Sequence, residues 1–322
     1  MVHRPLLLVL FIWAGAAHAG AVPHISALTN EQAWKVLPKA EEGGGQDLPA
    51  WIRALAGPLP KTAAVMIDLD YAQRVDSPLP PKFRAKLRWI AADANRCEYA
   101  MAYARADYVR AGGKADDIDG LLNNLAKLPE GERLALELVR DLTRAAYKVT
   151  DEQIARLVKI HGEKQLVAIV LVAAYANFQD RLLHGLGVTL EKDGPLSPVK
   201  VVFAKPATAK EKIKRTLSPK SAKPPVIPDK LDDPDWTAFS FAELQEKVQG
   251  QIHRPKARIT IPQKLPDRPT RIQWTLLNHG YQPRLNTAWG GGLRAFKSET
   301  DLPEVEQETM FWVVTRSLQC FY

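Results

Sequence analysis

The chain of 322 residues is predicted to be all-α, and three observations in its sequence support this fold class. Apolar residues from Pro81 onward recur at spacings of three and four, the period of a helix with one buried face. The stretch from Leu166 to Leu186 is long and apolar, and glycines end it. No alternation of apolar and polar residues longer than four positions precedes the later stretch rich in proline and lysine, so no extensive sheet is predicted.

The individual helices follow from these patterns. Two long helices, Pro81–Gly112 and Leu166–Leu186, are predicted to pack in one bundle. Shorter helices are predicted over Asp116–Leu128 and Glu130–Tyr147, and Thr150 to Gln153 has the sequence of a capping box that opens a further helix. Residues 26–60, which contain several prolines and a glycine run, are predicted to be irregular.

The N-terminus has the layout of a secretory signal peptide. His3 and Arg4 form a short basic region, residues 6–12 are apolar, and Ala17-His18-Ala19 is a small-x-small cleavage site. The apolar run is too short to span a bilayer comfortably, because a transmembrane helix needs roughly 20 such residues. We therefore expect residues 1–19 to be removed, leaving an exported, soluble protein in the periplasm or outside the cell.

The net charge of +8 is concentrated in one segment. Between Lys200 and Lys230 there are eight lysines and one arginine against two acidic residues, a net charge of +7. Five prolines in the same segment predict an extended, solvated linker over residues 191–235, exposed and irregular from 195 to 230. Nucleic-acid binding is not predicted, since a folded basic face with aromatic residues is missing and Phe203 alone interrupts the segment.

An internal repeat relates two parts of the chain. A shift of 223 residues gives nine identities in 49 ungapped positions, among them two tryptophans and both cysteines. The identical pairs are Trp51/Trp274, Gly57/Gly280, Pro60/Pro283, Ala72/Ala295, Leu79/Leu302, Pro80/Pro303, Trp89/Trp312, Cys97/Cys320 and Tyr99/Tyr322. The glycine run Gly290–Gly292 in the second copy is predicted to end a helix.

The repeat defines the predicted domains. Residues 20–190 form a first copy, and residues 236–322 form a partial second copy without a counterpart of Ala100–Val188. Such a half-unit cannot close its own core. Either it packs against the first copy as a pseudo-dimer, or the sequence is a fragment of a longer protein. A homo-oligomer is the other possible assembly.

The first copy contains the stretch Arg96-Cys97-Glu98-Tyr99-Ala100-Met101-Ala102-Tyr103-Ala104. This stretch resembles the active-site helix of the AhpD-like alkylhydroperoxidases, which are grouped with the carboxymuconolactone decarboxylase family. Residues 174–187 resemble that family's C-terminal helix and its glycine-rich exit. The resemblance covers roughly residues 80–190 and, more briefly, 300–322, and it implies an AhpD-like helical bundle in tandem copies.

The resemblance also implies a thiol chemistry. In that family a thiolate attacks a peroxide, a second cysteine three residues later resolves the sulfenic acid, and a glutamate and a histidine relay the proton. The first copy departs from this pattern, because Ala100 stands at the second cysteine, Ala104 at the histidine and Ala85 at the glutamate. Cys97 is therefore expected to be either a small core residue or a nucleophile without its partners.

The second copy keeps more of the implied site. Cys320 is present, and Glu308, twelve residues before it, matches the acidic relay position. The implied function is a peroxiredoxin-type, alkylhydroperoxidase-like oxidoreductase with antioxidant activity, using a peroxide and a thiol reductant. Its candidate residues are Cys320, Glu308 and Cys97.

Two alternatives stay open at this point. One is a non-enzymatic exported helical module that kept the fold and lost the chemistry. The other is a structural protein with a Cys97–Cys320 crosslink, although free thiols are expected because each cysteine would lie in its own copy. No cofactor is predicted, and no metal, since the histidines lack a third ligand at metal spacing.

Overall fold

The computed structural model describes residues 24–204, 258–262 and 273–317. The predicted signal peptide, residues 205–235 of the predicted linker and Cys320 all lie outside the described residues. The backbone of the described part is mostly helical, in agreement with the all-α prediction.

Twelve α-helices and two short strands make up the described part of the chain. The helices are α1 (Asn30–Val36), α2 (Ala50–Ala56), α3 (Pro60–Tyr71), α4 (Pro81–Ala94), α5 (Glu98–Arg110), α6 (Ala115–Asp119), α7 (Leu121–Asn124), α8 (Glu130–Ala145), α9 (Asp151–Leu186), α10 (Gln273–Tyr281), α11 (Pro283–Glu299) and α12 (Glu304–Ser317). The strands are β1 (Ala40–Glu42) and β2 (Val202–Phe203), which pair antiparallel. A π-helical turn, Ala72–Asp76, continues α3.

Two apolar cores hold these helices together. One lies between α4, α8 and α9 and includes Leu87, Leu138 and Ile169, all 0% exposed. The other lies around α2 and α3, where Trp51 and Leu69 are buried beside Tyr175 of α9. Helix α9 thus belongs to both cores, and it packs mainly against α4 and α8.

The single helix predicted over Pro81–Gly112 is wrong, because the chain breaks between α4 and α5. The amide of Arg96 donates to the carbonyl of Asp93 at 2.9 Å, and that of Cys97 donates to Ala92 at 2.8 Å. These two bonds form a Schellman C-cap, with Arg96 at the left-handed position, φ 56°. Glycine is the usual residue at that position, so an arginine there gives no stop signal in the sequence.

The irregular conformation predicted for residues 26–60 is also wrong. Thr29 and Gln32 form a reciprocal capping box that opens α1. Pro49 occupies the N-cap of α2, and Pro60 is the first residue of α3. Proline fits the first turn because the amide it lacks would have no intrahelical partner there, so these prolines start helices where we expected loops.

The predicted linker begins later than expected. Val199 is buried, and the strand Val202–Phe203 pairs with β1, so residues 195–204 are partly packed against the helical part of the chain, where an exposed stretch was predicted. The remainder of the predicted linker, residues 205–235, lies outside the described residues.

Helix α9 is bent at Gly162, whose φ of 73° and ψ of 160° are not helical. Thr150 caps its start by accepting a bond from the amide of Gln153 at 3.2 Å, which is half of the predicted capping box, while the side chain of Gln153 donates to Asp141 instead. By length and composition α9 is also the one described helix that could cross a membrane, and 67% of its most apolar window is buried inside the protein.

Replacing Gly162 with alanine is expected to lower the free energy of unfolding by about 1–3 kcal/mol, because its backbone conformation is accessible almost only to glycine. No atom within 4 Å would meet the new Cβ, so the effect isolates backbone strain from crowding. Urea unfolding followed by circular dichroism measures it. Gly185→Ala is the matched control: it too has open space, its backbone is helical, and we expect a gain of up to about 1 kcal/mol. Equal effects at both sites would contradict the prediction.

The last three helices start 223 residues after three earlier ones. Helices α2, α3 and α4 begin at residues 50, 60 and 81, and α10, α11 and α12 begin at 273, 283 and 304. Helix α11 lies against α3, and the contacts between them are reciprocal under that shift. Arg284 contacts Asp76 at 3.2 Å, while Glu299 accepts the amide of Lys61 at 2.6 Å.

The glycine run of α11 lies at this contact. Gly290–Gly292 was expected to end a helix, but it falls in the middle of α11. A Cβ on Gly292 would lie 2.4 Å from Cε of Met66, and one on Gly291 would lie 3.0 Å from Val65. The glycines therefore let the two helix backbones approach closely. The glycine run that was expected to end a helix instead allows α11 to pack against α3.

Candidate functional site

Cys97 lies at the junction of α4 and α5, as the N-cap residue of α5. Its thiol is free and 2% exposed. Burial raises the pKa of this thiol to about 11, with the carboxylate of Asp180 adding to the rise, while the amide of Ala100 and the charge of Arg88 oppose it. A helix N-terminus normally favours a thiolate, but here desolvation outweighs the dipole.

The neighbours of Cys97 form a buried polar network. Arg88 of α4 donates two bonds to Asp180 of α9, the one to Oδ2 measuring 3.1 Å, and a third to Gln179 at 2.9 Å. The side chain of Asp180 is 0% exposed, and it also accepts from Asn95 at 2.9 Å. This network joins α4 to α9 directly beneath the α4–α5 break, so it positions Cys97.

Ala85, Ala100 and Ala104, at the positions where the resemblance implies an acid, a second cysteine and a histidine, are all buried. His184 reaches the same corner, but its ring contacts the carbonyl of Asn95 at 3.1 Å. In the described ranges, no three His, Cys, Asp or Glu side chains are grouped as a metal site would need.

Of the two candidate residues in the predicted second copy, the described part of the chain contains Glu308. Glu308 is exposed on α12, beside Glu304, Thr309 and Trp312 in a shallow depression. Cys320 lies outside the described residues. The structure therefore places Glu308 on an accessible helix face and gives no position for the thiol it would serve.

A cavity of about 340 Å³ lies next to the buried network, and the sequence did not predict it. The π-helical turn contributes Gln73 and Arg74, α4 contributes Arg84 and Arg88, and α5 contributes Tyr103. Apolar atoms complete the wall; they come from Val75, Pro81, Ala85, Ala100, Ala104, Val172 and Pro198. Turns of the π type are frequent at functional sites because they shift side chains out of the helical register.

Charges in the cavity wall are mostly compensated. Arg74 contacts Asp70 at 3.1 Å and Asp107 at 2.8 Å, and these attractions hold its pKa above the ordinary value against the effect of burial. Arg84 instead donates to backbone carbonyls, those of Ser77 at 3.3 Å and Leu79 at 3.2 Å among them. Burial lowers the pKa of Arg84.

Tyrosines form the opposite side of the cavity. Tyr99 and Tyr103 stack with ring centroids 4.8 Å apart, and the hydroxyl of Tyr99 donates to Glu191 at 2.6 Å. Tyr175 donates to Asp70 at 2.7 Å. Burial raises the pKa of all three tyrosines, and the nearby carboxylates raise it further.

One signal for this region was present in the sequence. Asp180 and Gln179 interrupt an otherwise apolar helix, and a charged residue in such a stretch is usually paired, because an unpaired buried charge is costly. The partner, Arg88, lies 92 positions earlier, so spacing alone could not identify it. Gln73 gave no signal at all.

Comparisons with known proteins find a partial likeness. No family model matches the chain. A stretch of 128 residues is 29% identical to Sestrin-3 of Mus musculus, which corresponds to 38% of this chain and 25% of the mouse protein. The match thus spans about a quarter of the length of the curated relative.

Proposed function

We propose that the chain is an exported, AhpD-like helical protein whose first copy has kept the fold and lost the peroxide chemistry. The observation that carries this proposal is the state of Cys97. A pKa of about 11 leaves about one thiol in ten thousand ionised at pH 7, and the thiolate is the form that attacks a peroxide. With alanine at positions 85, 100 and 104, the first copy lacks the acid, the resolving cysteine and the histidine that the resemblance implies.

The repeat supports tandem copies as the origin of this arrangement. Three helix starts recur at one offset, and the α3–α11 contact is reciprocal in the way that a two-fold interface requires. The likeness to Sestrin-3 adds a curated relative to the proposal. Because it covers a quarter of that protein, it transfers none of the whole protein's activity.

A second candidate function is thiol-dependent peroxide reduction by the second copy. Glu308 favours it, since an exposed carboxylate occupies the acidic relay position of α12, twelve residues before Cys320. A peroxide would be the substrate and a small thiol or dithiol the reductant. In this reading the first copy serves as the pseudo-dimeric partner that completes the core of the second.

A peroxide-consumption assay with a small dithiol separates the two candidates. We expect little or no turnover of an alkyl hydroperoxide by the chain, and no change on Cys97→Ser, because the buried thiol is protonated. Multiple turnovers that disappear on Cys320→Ser would establish the second candidate. Turnovers that disappear on Cys97→Ser, with Cys320→Ser unchanged, would show that the first copy is active and that our proposal is wrong.

A further inference from the structure

The cavity is lined by a buried side-chain amide that makes no hydrogen bond to the described residues. Gln73 is 3% exposed, and neither its Nε2 nor its Oε1 has a hydrogen-bond partner among the described residues. Buried side-chain amides are almost always satisfied, because an unmade bond costs about 1–3 kcal/mol. Gln73 lies in the π-helical turn and lines the cavity, so a ligand in the cavity can supply both missing partners.

The same wall carries positive charge that no carboxylate pairs. Arg74 forms ion pairs with both acidic residues of the wall, Asp70 and Asp107. Arg84 has no carboxylate within ion-pair distance in the described part of the chain, and its bonded hydrogens go to backbone carbonyls. These three hydrogen bonds to carbonyls of the described residues leave two of the five N–H groups of Arg84 for another acceptor. The cavity therefore favours an anion.

We propose that this cavity binds a small 2-hydroxycarboxylic acid. The carboxylate accepts from Arg84 and from Nε2 of Gln73. A carboxylate has no hydrogen to donate to Oε1 of Gln73, so the ligand needs a neighbouring donor, and a hydroxyl group supplies one. An ammonium group in that place is disfavoured, because both acidic side chains of the wall are already paired with Arg74.

The remaining wall sets the size and character of the ligand. Ala85, Ala100, Ala104 and Val172 offer an apolar surface to the ligand's body. A volume of 340 Å³ equals about eleven waters at the ~30 Å³ each occupies in the liquid. Val75 lines the cavity and is 41% exposed, which places the opening beside the π-helical turn. This inference uses no thiol and is independent of the proposed function.

Isothermal titration of the full chain with mandelate, and with lactate as the smaller probe, tests the proposal. We expect mandelate to bind saturably. Phenylacetate, which lacks the hydroxyl, should bind at least tenfold more weakly than mandelate. Phenylglycine, in which an ammonium group replaces the hydroxyl, should also bind at least tenfold more weakly than mandelate. Gln73→Leu should weaken mandelate binding at least tenfold, since each lost hydrogen bond is worth about a factor of ten. Gln165→Leu, an exposed position on α9, is the matched control and should bind like the unchanged protein.

A readout of stability separates a binding role from a structural one. Gln73→Leu should unfold at an equal or higher urea concentration than the unchanged protein, because it removes unsatisfied buried polar atoms. If that variant does not fold, Gln73→Glu, which adds a negative charge beside the ligand's carboxylate, is titrated in its place, with the same loss expected. The proposal is overturned if neither mandelate nor lactate binds, if phenylacetate binds as well as mandelate, or if the Gln73 variant binds unchanged.

Discussion

Replacing Asp180 with alanine is expected to lower the free energy of unfolding by about 3–5 kcal/mol, because it leaves the guanidinium of Arg88 buried without its partner. The side chain of Arg88 is 12% exposed and that of Asp180 is 0% exposed, so solvent screens this pair little. Asn95 loses an acceptor in the same variant. Urea unfolding followed by circular dichroism measures the change.

An exposed ion pair on the same protein provides the control. Arg105 and Asp119 contact each other at 2.8 Å with side chains 47% and 46% exposed. Asp119→Ala should change stability by less than about 1 kcal/mol, since solvent screens such pairs. The double variant Arg88→Leu with Asp180→Leu should cost less than Asp180→Ala alone, because no charge is left buried. Similar losses for Asp180→Ala and Asp119→Ala would contradict the role we assign to the buried pair.

The protein is expected to lose stability steeply above pH 10. Burial raises the pKa of Tyr99, Tyr103 and Tyr175 in the folded protein, while the unfolded chain releases these protons near pH 10. Above that pH the folded state binds three protons that the unfolded state has lost, so folding becomes less favourable as pH rises. Each such group contributes about 1.4 kcal/mol per pH unit, which gives a slope of about 4 kcal/mol per unit.

Cys97 begins this loss earlier. Its pKa is raised from 9.0 to about 11, so its contribution is complete below pH 9 and disappears between pH 9 and 11. Urea midpoints at pH 7, 9, 10 and 11 test both statements. Tyr175→Phe should reduce the slope above pH 10 by about a third, and Cys97→Ala should reduce the loss between pH 9 and 10. A midpoint that stays constant to pH 11 would contradict both.

The helices could be predicted from sequence where periodicity and end signals agree. Thr150 and the glycine after Leu186 mark the two ends of α9, and both act as expected. The break before Cys97 could not be predicted, because the left-handed residue of the cap is Arg96, and glycine is the residue that usually marks such a position. Its conformation is fixed by the two capping bonds and by the packing of α4 against α9. That packing is a tertiary interaction, which local sequence patterns do not reveal.

Some features of the candidate site could likewise be predicted from the sequence, and others could not. The alanines at positions 100 and 104, where the resemblance implies a cysteine and a histidine, could be read directly from the sequence. The high pKa of Cys97 could not, because it depends on burial and on Asp180, 83 positions away in the sequence. The cavity is lined by five separate segments of the chain, and the lack of a hydrogen-bond partner for Gln73 is visible only when all of them are in place.

Helix α3 connects the cavity to the far side of the molecule. Its first turn is capped from α11: both carboxylate oxygens of Glu299 accept from the amides of Lys61 and Thr62, at 2.6 and 2.7 Å. Its other end runs into the π-helical turn that carries Gln73. Any free energy by which a ligand favours this form of α3 therefore also favours the docked form of α11, and by thermodynamic reciprocity docking of α11 raises affinity in the cavity by the same factor.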